Sequence, residues 1–536
     1  MPIQYDPKGD KSIIITQYDM HDVEDVGLPK FDFLGIRNLA ILSGAVDLVK
    51  QIHNIDIDID NIPIDDKKTY EMLARGETSG LFQLNGTGLT QYLKQLKPTS
   101  IHDINAMVAL YRPGPIDSIP EYIKRKHNNK LIKYLDPCMK SILDQSYGVI
   151  TYQDDVMMIA IELGGYSWLE ADKLRKAMGK KIPKEMEAQK EKLIKGFIDK
   201  GMEKKKANEL WELIEPFAAY GFNKAHAASY GFVAYQTAYM KANYPLEYMC
   251  AILTAESGDV GKISEIVDEC QKMGITVLPP NINESFGGFT VVRGNDQEKI
   301  IRFGFYTIKN LGVDIANAII QERKDKGNFK SLTNFFERIT HKNLNKKSVE
   351  ALTKSGAMDD MAKRGTILGN LEKLLAFNKD SNQIQNQESL FGSIGDVENV
   401  VKMEEYEDST ILEKLTWEKE LLGLYVSGHP LDPYKDTIEK IGTVIKKAKE
   451  ETASGSPVTM AVIITNVRII NTKNNTRMAF IKIADKTGDM EAVVFSKTFE
   501  AHKDLIVLDQ MIALEGKVNL RNDEKSVSIE KLKKLG

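Results

Sequence analysis

The spacing of hydrophobic residues divides this chain into a long helical part and a short C-terminal part of alternating strands. Apolar residues recur every three to four positions over 37–53, which predicts an amphipathic helix. Further helical segments are expected over 65–95, 164–181 and 246–284. From Val458 the period falls to two, in the runs VTMAVIITNVRII, RMAFIKIAD, MEAVVFS, MIALEGKVNL and SVSIEKL, with turn residues between them. The pattern predicts a multidomain α+β protein whose last domain is all β.

Five short strands joined by turns are typical of an OB-type barrel, which we expect over residues 457–536. Barrels of this type often bind single-stranded nucleic acid. They also serve as protein-interaction modules, and the strand pattern fits both uses.

The N-terminal stretch carries a single acidic residue inside an apolar pattern. After the β-branched run IIIT, the segment LPKFDFLG predicts a strand that buries Phe31 and Phe33. Asp32 would then point to the opposite side, where it could bind a ligand. An isolated Asp on a strand is also typical of a surface or turn position, so the pattern alone fits both interpretations.

A dense group of positive charges lies on a short predicted helix within GGYSWLEADKLRKAMGKK. One side is apolar and the other is basic, because both sets of residues follow helical spacing. The apolar side has Leu174, Ala177 and Met178, and the basic residues are Lys173, Arg175, Lys176, Lys180 and Lys181. Such a surface suits a polyphosphate, since arginine offers a two-pronged donor and lysine a mobile charge. A solvated charged face is the competing interpretation.

Composition narrows the class of protein without identifying a ligand. The 536 residues are 42% hydrophobic and carry a net charge of −4, as in a globular protein of several domains. Basic charge is instead local, with 13 Lys/Arg against 6 Asp/Glu over 171–206. The three cysteines form no CxxC pair, so we expect reduced thiols and no zinc site. Because we find no long apolar run and no signal peptide, we expect a cytoplasmic location and no membrane partner.

Two further motifs combine rigid backbone, cations and aromatic rings. The segment RPGP holds Arg112 in a stiff turn, because each proline fixes its own φ and restricts its neighbour. The segment GFNKAHAASY then supplies Phe222, Asn223, Lys224, His226 and Tyr230. Rings beside hydrogen-bond donors suit a surface that stacks a base and holds its phosphates. A helix with a buried aromatic face would show the same spacing.

Two motifs in the second half of the chain point to DNA and to a protein partner. The run IRFGFYTIKNLGVDIANAIIQER is similar to a helix-hairpin-helix, with Lys309 and Gly312 at the turn that faces a DNA phosphate. Asn310 stands where this motif usually has a glycine, and asparagine tolerates the left-handed backbone required there. Over 378–412 the chain becomes polar and then acidic, which predicts a linker. Within it, QESLF exposes an apolar pair that needs a partner to cover it.

Together, RPGP, ADKLRKAMGKK and GFNKAHAASY resemble the fingers of the bacterial C-family replicative DNA polymerases, and the similarity extends along essentially the whole chain. The resemblance implies mostly helical fingers and a helix-hairpin-helix region, a fragment of the palm sheet and the OB-type barrel. The implied domains are the palm end at 1–47, fingers at 48–285, a clamp-binding domain at 286–377, the linker at 378–412, a helical bridge at 413–456 and an OB-fold domain at 457–536.

The same resemblance assigns roles to the candidate residues. Asp32 would be one of three palm carboxylates that hold Mg²⁺ for nucleotidyl transfer. The nucleotide would be bound by Lys30, Arg112, Lys173, Arg175, Lys176, Lys180, Lys181, Asn223, Lys224 and His226. The sliding-clamp peptide would consist of Gln387, Leu390 and Phe391.

The chain departs from the family pattern at the palm. The family's other two carboxylates lie in a D-x-D segment upstream of anything present here. Asp56, Asp58 and Asp60 have metal-like spacing, but they follow the first long helix and fit a half-exposed strand or turn better. Two smaller departures, Ala225 for serine and Lys176 for arginine, remove no charge.

The resemblance implies template-directed DNA synthesis by a DNA-directed DNA polymerase, with this chain inactive on its own. Expected partners are primer–template DNA, deoxynucleoside triphosphates, the sliding clamp, and the clamp-loader and proofreading subunits of the holoenzyme. The alternative function is a non-catalytic DNA-binding module tethered to the clamp, since two of the three metal carboxylates are missing from the chain.

Overall fold

The protein is described by a computed structural model that covers residues 1–536 except 8, 10, 30, 32, 181–182, 221, 294–298, 387–400, 473–475, 522–523 and 536. For residues 179–180, 183–185, 216–220, 293, 299, 382–386, 521 and 524 the backbone alone is described. The chain divides into two compact units, Met1–Tyr248 and Met249–Gly536.

Helices dominate both units up to the C-terminal strands, as the hydrophobic spacing predicts. In chain order they are Asp22–Asp25 (α1), Arg37–His53 (α2), Lys67–Arg75 (α3), Thr87–Leu96 (α4), Ile101–Leu110 (α5), Ile119–His127 (α6), Met139–Leu143 (α7), Gln153–Glu162 (α8), Trp168–Lys180 (α9), Pro183–Asp199 (α10), Lys204–Tyr220 (α11), Lys224–Asn243 (α12), Pro245–Ala255 (α13), Val260–Lys272 (α14), Val313–Lys326 (α15), Leu332–Arg338 (α16), Lys346–Lys354 (α17), Arg364–Gly369 (α18), Leu371–Asn386 (α19), Ile411–Leu422 (α20), Lys435–Ile441 (α21), Ile445–Glu450 (α22) and Ser496–His502 (α23). Over the described residues, none of them is both long and apolar enough to cross a membrane.

Over the described residues, the strands form three separate sheets. In chain order they are Ile3–Tyr5 (β1), Ile14–Thr16 (β2), Val277–Leu278 (β3), Thr290–Arg293 (β4), Lys299–Arg302 (β5), Pro457–Asn471 (β6), Arg477–Asp485 (β7), Gly488–Val494 (β8), Met511–Arg521 (β9) and Glu524–Lys534 (β10). Strands β1 and β2 form an antiparallel pair, and β5 lies between β3 and β4. The remaining five strands close into a barrel.

Helix α12 is the central helix of the first unit and packs against α2, α3 and α5. It lies against α5 at Gly231, where an added Cβ would lie only 1.9 Å from Asn105 Oδ1. A larger residue here would force the Asn105 side chain to move. The buried Tyr235 also donates its hydroxyl to the Pro63 carbonyl at 2.6 Å. Ala109 near the end of α5 and Ala227 near the start of α12 share a small buried cluster with Tyr152, next to the RPGP turn.

A second group of helices in this unit carries the basic segment. Helix α9 packs against α8, α10 and α11. It buries Leu174, Ala177 and Met178, which confirms the predicted apolar side.

The predicted strand around residue 32 is wrong. Phe31 and Phe33 are 74% and 92% exposed, and no strand forms in the described residues between 29 and 36. A strand needs a hydrogen-bonded neighbour, and over the described residues β1 and β2 pair only with each other. The two phenylalanine rings lie 6.4 Å apart, between centroids. Lys30 and Asp32 lie outside the described residues.

In the second unit, short strands and hydrogen bonds lie close to the expected domain borders. Strand β3 pairs in parallel with β5, so the expected border after residue 285 runs through one sheet. The expected linker overlaps α19, which continues to Asn386. After the gap, Glu404 N donates to Asn370 Oδ1 at 2.9 Å, and Asn370 Nδ2 donates to the Glu404 carbonyl at 2.8 Å. Both described ends of the expected linker therefore contact ordered parts of the second unit.

The C-terminal barrel confirms the alternating pattern. Its strand order is β10–β8–β7–β6–β9, with β8 and β10 parallel and the other neighbours antiparallel. All five predicted runs coincide with its strands to within a few residues. The inward positions form one apolar core that includes Met460, Ile481, Val494, Leu514 and Val527.

Candidate functional site

Three stretches that are distant in sequence meet at the start of α12. Tyr152 and Phe222 form a single parallel β-bridge, and Gln153 N donates to the Phe222 carbonyl at 3.0 Å. Lys224 N then donates to Asp154 Oδ2 at 2.9 Å. The start of α8 therefore holds the start of α12 in place, and the RPGP turn supplies the third stretch.

Aromatic rings and one guanidinium form a continuous cluster at this point, which we call the ring cluster. Arg112 Cζ lies 4.0 Å from the centroid of the Phe222 ring. His226 lies next to Phe222, with centroids 5.1 Å apart, and next to Tyr230, with centroids 4.1 Å apart. Tyr230 in turn lies 5.2 Å from Phe82. Stacking of this kind fixes the planes of both the rings and the guanidinium.

The ring cluster faces solvent on its cationic side. Arg112, Lys224 and His226 are all exposed, and Lys224 Nζ lies 5.6 Å from the centroid of the Tyr152 ring. Asn223 is exposed as well, but its Oδ1 accepts from His226 N at 2.8 Å and caps α12. Flat rings beside free cationic donors can stack a base and bind phosphate oxygens.

Asp155 stabilises the backbone next to the ring cluster, although the sequence analysis did not identify it as a candidate. Its Oδ2 accepts from the backbone N–H of both Thr151 and Tyr152 at 2.9 Å. Burial raises the pKa of Asp155 to about 6, with these hydrogen bonds and Lys224 opposing the shift. The signal in the sequence was the acidic residue three positions after the helix cap, because this spacing is typical of a capping box.

The basic side of α9 contains an acidic residue that the sequence prediction left out. Arg175 donates from Nη2 at 2.7 Å and from Nε at 3.0 Å to Asp172 Oδ1. Lys176 Nζ lies 2.8 Å from Asp172 Oδ2. Hydrogen bonds from Lys176 and then Arg175 lower the pKa of Asp172. Arg175 and Lys176, two of the predicted phosphate-binding cations, are therefore already in ion pairs, whereas Lys173 is exposed.

Helix α8 connects the two groups of predicted residues. Its first turn holds Lys224 through Asp154, and its length packs against α9. The structure therefore brings together Arg112, Asn223, Lys224 and His226, and joins Arg175 and Lys176 to Asp172. The Lys180 side chain and Lys181 lie outside the described residues.

The Asp56–Asp58–Asp60 segment forms a turn, not a strand. Asp56 pairs with Lys50 at 3.1 Å, and Asp58 caps a short 3₁₀ helix by accepting from Asp60 N at 3.1 Å. Asp60 Oδ1 accepts from Gln236 Nε2 at 3.3 Å. In the described part of the chain, no three His, Cys, Asp or Glu side chains converge into a metal-binding group.

Sequence comparison relates the chain to proteins of known function. Residues 38–201 match a family model described as the bacterial DNA polymerase III alpha subunit finger domain. The chain is 40% identical over 526 residues to the DNA polymerase III subunit alpha of Borreliella burgdorferi, covering 97% of the chain and 45% of that protein. The protein of the same name from Bacillus subtilis is 37% identical over 531 residues, covering 98% and 46%. The chain belongs to the bacterial DNA polymerase III alpha subunit family.

Two further family models match residues in the second half of the chain. Residues 274–367 match a helix-hairpin-helix motif, and residues 458–535 match an OB-fold nucleic acid binding domain. The finger match ends before α12, so the α12 part of the ring cluster lies outside it. The chain spans less than half the length of the alpha subunits from both bacteria.

The helix-hairpin-helix of this alpha-subunit relative keeps its predicted turn. Asn310 has a φ of 70°, which is the left-handed conformation expected for a residue in the place of glycine. Gly312 precedes α15 as its N-cap, and the Lys309 side chain is exposed. Lys309 N, however, donates to the Leu421 carbonyl at 3.0 Å, so one backbone donor of the turn holds the end of α20.

Proposed function

We propose that this chain provides the nucleotide-binding fingers and the DNA-holding domains of a replicative DNA polymerase. The ring cluster is the observation that supports this most directly. Two motifs about 110 residues apart in the sequence place an exposed guanidinium, lysine and imidazole around partly buried aromatic rings. An incoming deoxynucleoside triphosphate offers the matching chemistry, a flat base and a chain of phosphates.

In this proposal, the residues on α9 and α12 share the nucleotide between them. The triphosphate is bound by Lys173, Arg175, Lys176, Lys180, Lys181 and Lys224, with Asn223 and His226 shaping the pocket and Arg112 contacting a phosphate or the template. The reaction joins the primer 3′ oxygen to the α-phosphorus and releases pyrophosphate. Positioned cations favour it because negative charge accumulates on the phosphate oxygens in the transition state.

The described residues do not form a metal site by themselves. We assign one ligand of the divalent ion, Mg²⁺, to Asp32, with Lys30 beside it, and the other carboxylates to a part of the complete enzyme outside this chain. When bound, such ions activate the attacking hydroxyl and stabilise the leaving group. Everything else in the proposal concerns how this chain binds and orients the nucleotide.

Titration of the purified chain with dATP tests the nucleotide site. We expect Arg112→Ala and Lys224→Ala to weaken dATP binding by about ten- to a hundredfold each, the range for hydrogen bonds to charged groups. Lys67→Ala is the matched control, because Lys67 is 89% exposed on α3. Unchanged affinity in both ring-cluster variants would contradict the assignment.

DNA and the sliding clamp are the proposed macromolecular partners. The helix-hairpin-helix, with Lys309 and Gly312, and the barrel would hold primer–template DNA in the cytoplasm. Gln387, Leu390 and Phe391 lie outside the described residues, and we propose that they bind the clamp. Replacing Leu390 and Phe391 with alanine should abolish clamp binding and leave DNA binding unchanged. We also propose contacts with the clamp-loader and proofreading subunits.

Primer extension separates a polymerase part from a non-catalytic DNA-binding module. The chain alone, with Mg²⁺ and four deoxynucleotides, should give no extension. Adding a second chain that carries the remaining palm carboxylates should restore synthesis, and Asp32→Ala should prevent that recovery. DNA and clamp binding without any recovery on mixing would favour the non-catalytic module.

A further inference from the structure

Asp172 lies inside the basic side of α9 and binds two of its cations at once. Arg175 and Lys176 follow it by three and four residues, so all three side chains meet on one side of the helix. Arg175 contacts one carboxylate oxygen and Lys176 the other. Neither oxygen of Asp172 is left without a cation.

The cations keep part of their hydrogen-bonding capacity in this arrangement. Arg175 uses two of its N–H groups on Asp172, and a guanidinium carries five. All three side chains reach solvent, with exposed fractions of 32% for Asp172, 39% for Arg175 and 62% for Lys176. Exposed ion pairs of this kind exchange partners readily, because each contributes little to stability.

We propose that Asp172 is a built-in competitor of the phosphates that bind to α9. This inference rests on the proposed function, because it concerns the same triphosphate site. A bound triphosphate competes with the carboxylate for Arg175 and Lys176, and the carboxylate repels each added phosphate charge. Asp172 therefore lowers the affinity of α9 for nucleotides. It also sets how much the affinity increases from a nucleoside monophosphate to a triphosphate.

The test compares two variants that lose the same charge from the same helix. Asp172→Asn removes the competitor, and Glu170→Gln is the matched control. Glu170 pairs with Lys192 at 2.6 Å. Over the described residues, it forms no ion pair with Arg175 or Lys176. Both variants are titrated calorimetrically with dAMP, dADP and dATP, and their thermal unfolding is compared with that of the wild type. Asparagine and aspartate have similar helix propensities, so the fold should persist.

We expect Asp172→Asn to bind dATP about three- to tenfold more tightly, as when two exposed ion pairs no longer need to be broken. The gain should be smaller for dADP and absent for dAMP, and Glu170→Gln should change none of the three affinities. Unchanged or weaker dATP binding by Asp172→Asn would overturn the inference. An equal gain in both variants would overturn it too, because it would reflect net charge alone.

Two companion variants separate this inference from the proposed function. If Arg175→Ala and Lys176→Ala both leave dATP affinity unchanged, these two cations do not bind the triphosphate and the inference fails, whereas Arg112→Ala and Lys224→Ala decide the nucleotide site itself. If they weaken binding and Asp172→Asn does not strengthen it, the nucleotide site stands and the competitor role alone is wrong.

Discussion

Two clusters, one in each unit, join a carboxylate to arginine but differ in burial. On α9, the cluster of Asp172, Arg175 and Lys176 is open to solvent. In the second unit, the side chains of Arg364 and Glu418 are only 2% and 0% exposed and lie 3.1 Å apart. Exposed charges can release their partners to a ligand, whereas buried charges cannot do so without leaving a charge uncompensated. Burial therefore distinguishes charges that serve binding from charges that serve the fold.

The buried cluster fastens α20 to the domain before it. Glu418 Oε2 accepts from the backbone N–H of Val426 at 3.1 Å and of Ser427 at 2.9 Å, and Glu418 Oε1 accepts from Ser427 Oγ at 2.8 Å. Arg364 also pairs with Asp359 at 2.7 Å. Each charge is thus paired and hydrogen-bonded, as a buried ion requires.

The largest predicted effect is the loss of this anchor. Glu418→Ala should destabilise the second unit by about 3 to 5 kcal/mol, because Arg364 would lose its buried partner. Urea unfolding followed by tryptophan fluorescence measures it, because Trp417 on α20 reports on the second unit while Trp168 and Trp211 report on the first. Glu420→Ala, an exposed change on the same helix, should leave the transition near that of the wild type. Equal transitions for the two variants would show that burial does not distinguish the two clusters.

A smaller effect on stability is expected from the ionisation of Asp155, next to the ring cluster. Its pKa rises from 3.8 to about 6 on folding, so the protonated form is favoured in the folded protein. The resulting stabilisation is complete below pH 4 and is lost as the pH rises through 6, by about 3 kcal/mol at most. The free energy of unfolding of Asp155→Asn, measured at several pH values, should not show this decrease between about pH 4 and pH 7. The difference between the two proteins should stay constant above pH 7, and a difference that grows there would contradict the assignment.

The smallest effect is predicted for the exposed cluster on α9. Lys176→Ala should leave the midpoint of urea unfolding unchanged, because an exposed pair contributes little to stability. The Arg175 pair with Asp172 remains in this variant. A clear decrease in the urea midpoint would show that this cluster stabilises the fold. It would also argue against the competitor role of Asp172.

Local patterns in the sequence predicted the elements well, because helix and strand periods are set by neighbouring residues. Helix α2 and the five barrel strands follow directly from the spacing of apolar residues. The predicted strand at Phe31 and Phe33 was wrong because a strand forms only beside a hydrogen-bonded partner, and that partner can be distant in the sequence. Asn310 was predicted correctly because its left-handed backbone is a local property.

The candidate site was only partly predictable. The cations were found from their spacing, but the contact of Arg112 with Phe222 joins residues about 110 positions apart, and it depends on how α5 and α12 cross at Gly231. Asp172 could have been found, because its spacing to Arg175 and Lys176 is that of helical ion pairs. The roles of Asp154 and Asp155 depend on the meeting of α8 with α12.

One crossed experiment tests most directly whether exposed charges serve the ligand and buried charges serve the fold. Both dATP affinity and urea unfolding are measured on Arg175→Ala and Arg364→Ala. We predict that Arg175→Ala loses about 1.5 to 3 kcal/mol of dATP binding and keeps its unfolding midpoint, whereas Arg364→Ala unfolds earlier and binds dATP normally. The account would be contradicted if Arg175→Ala kept its dATP affinity, or if both arginines proved equally important for stability.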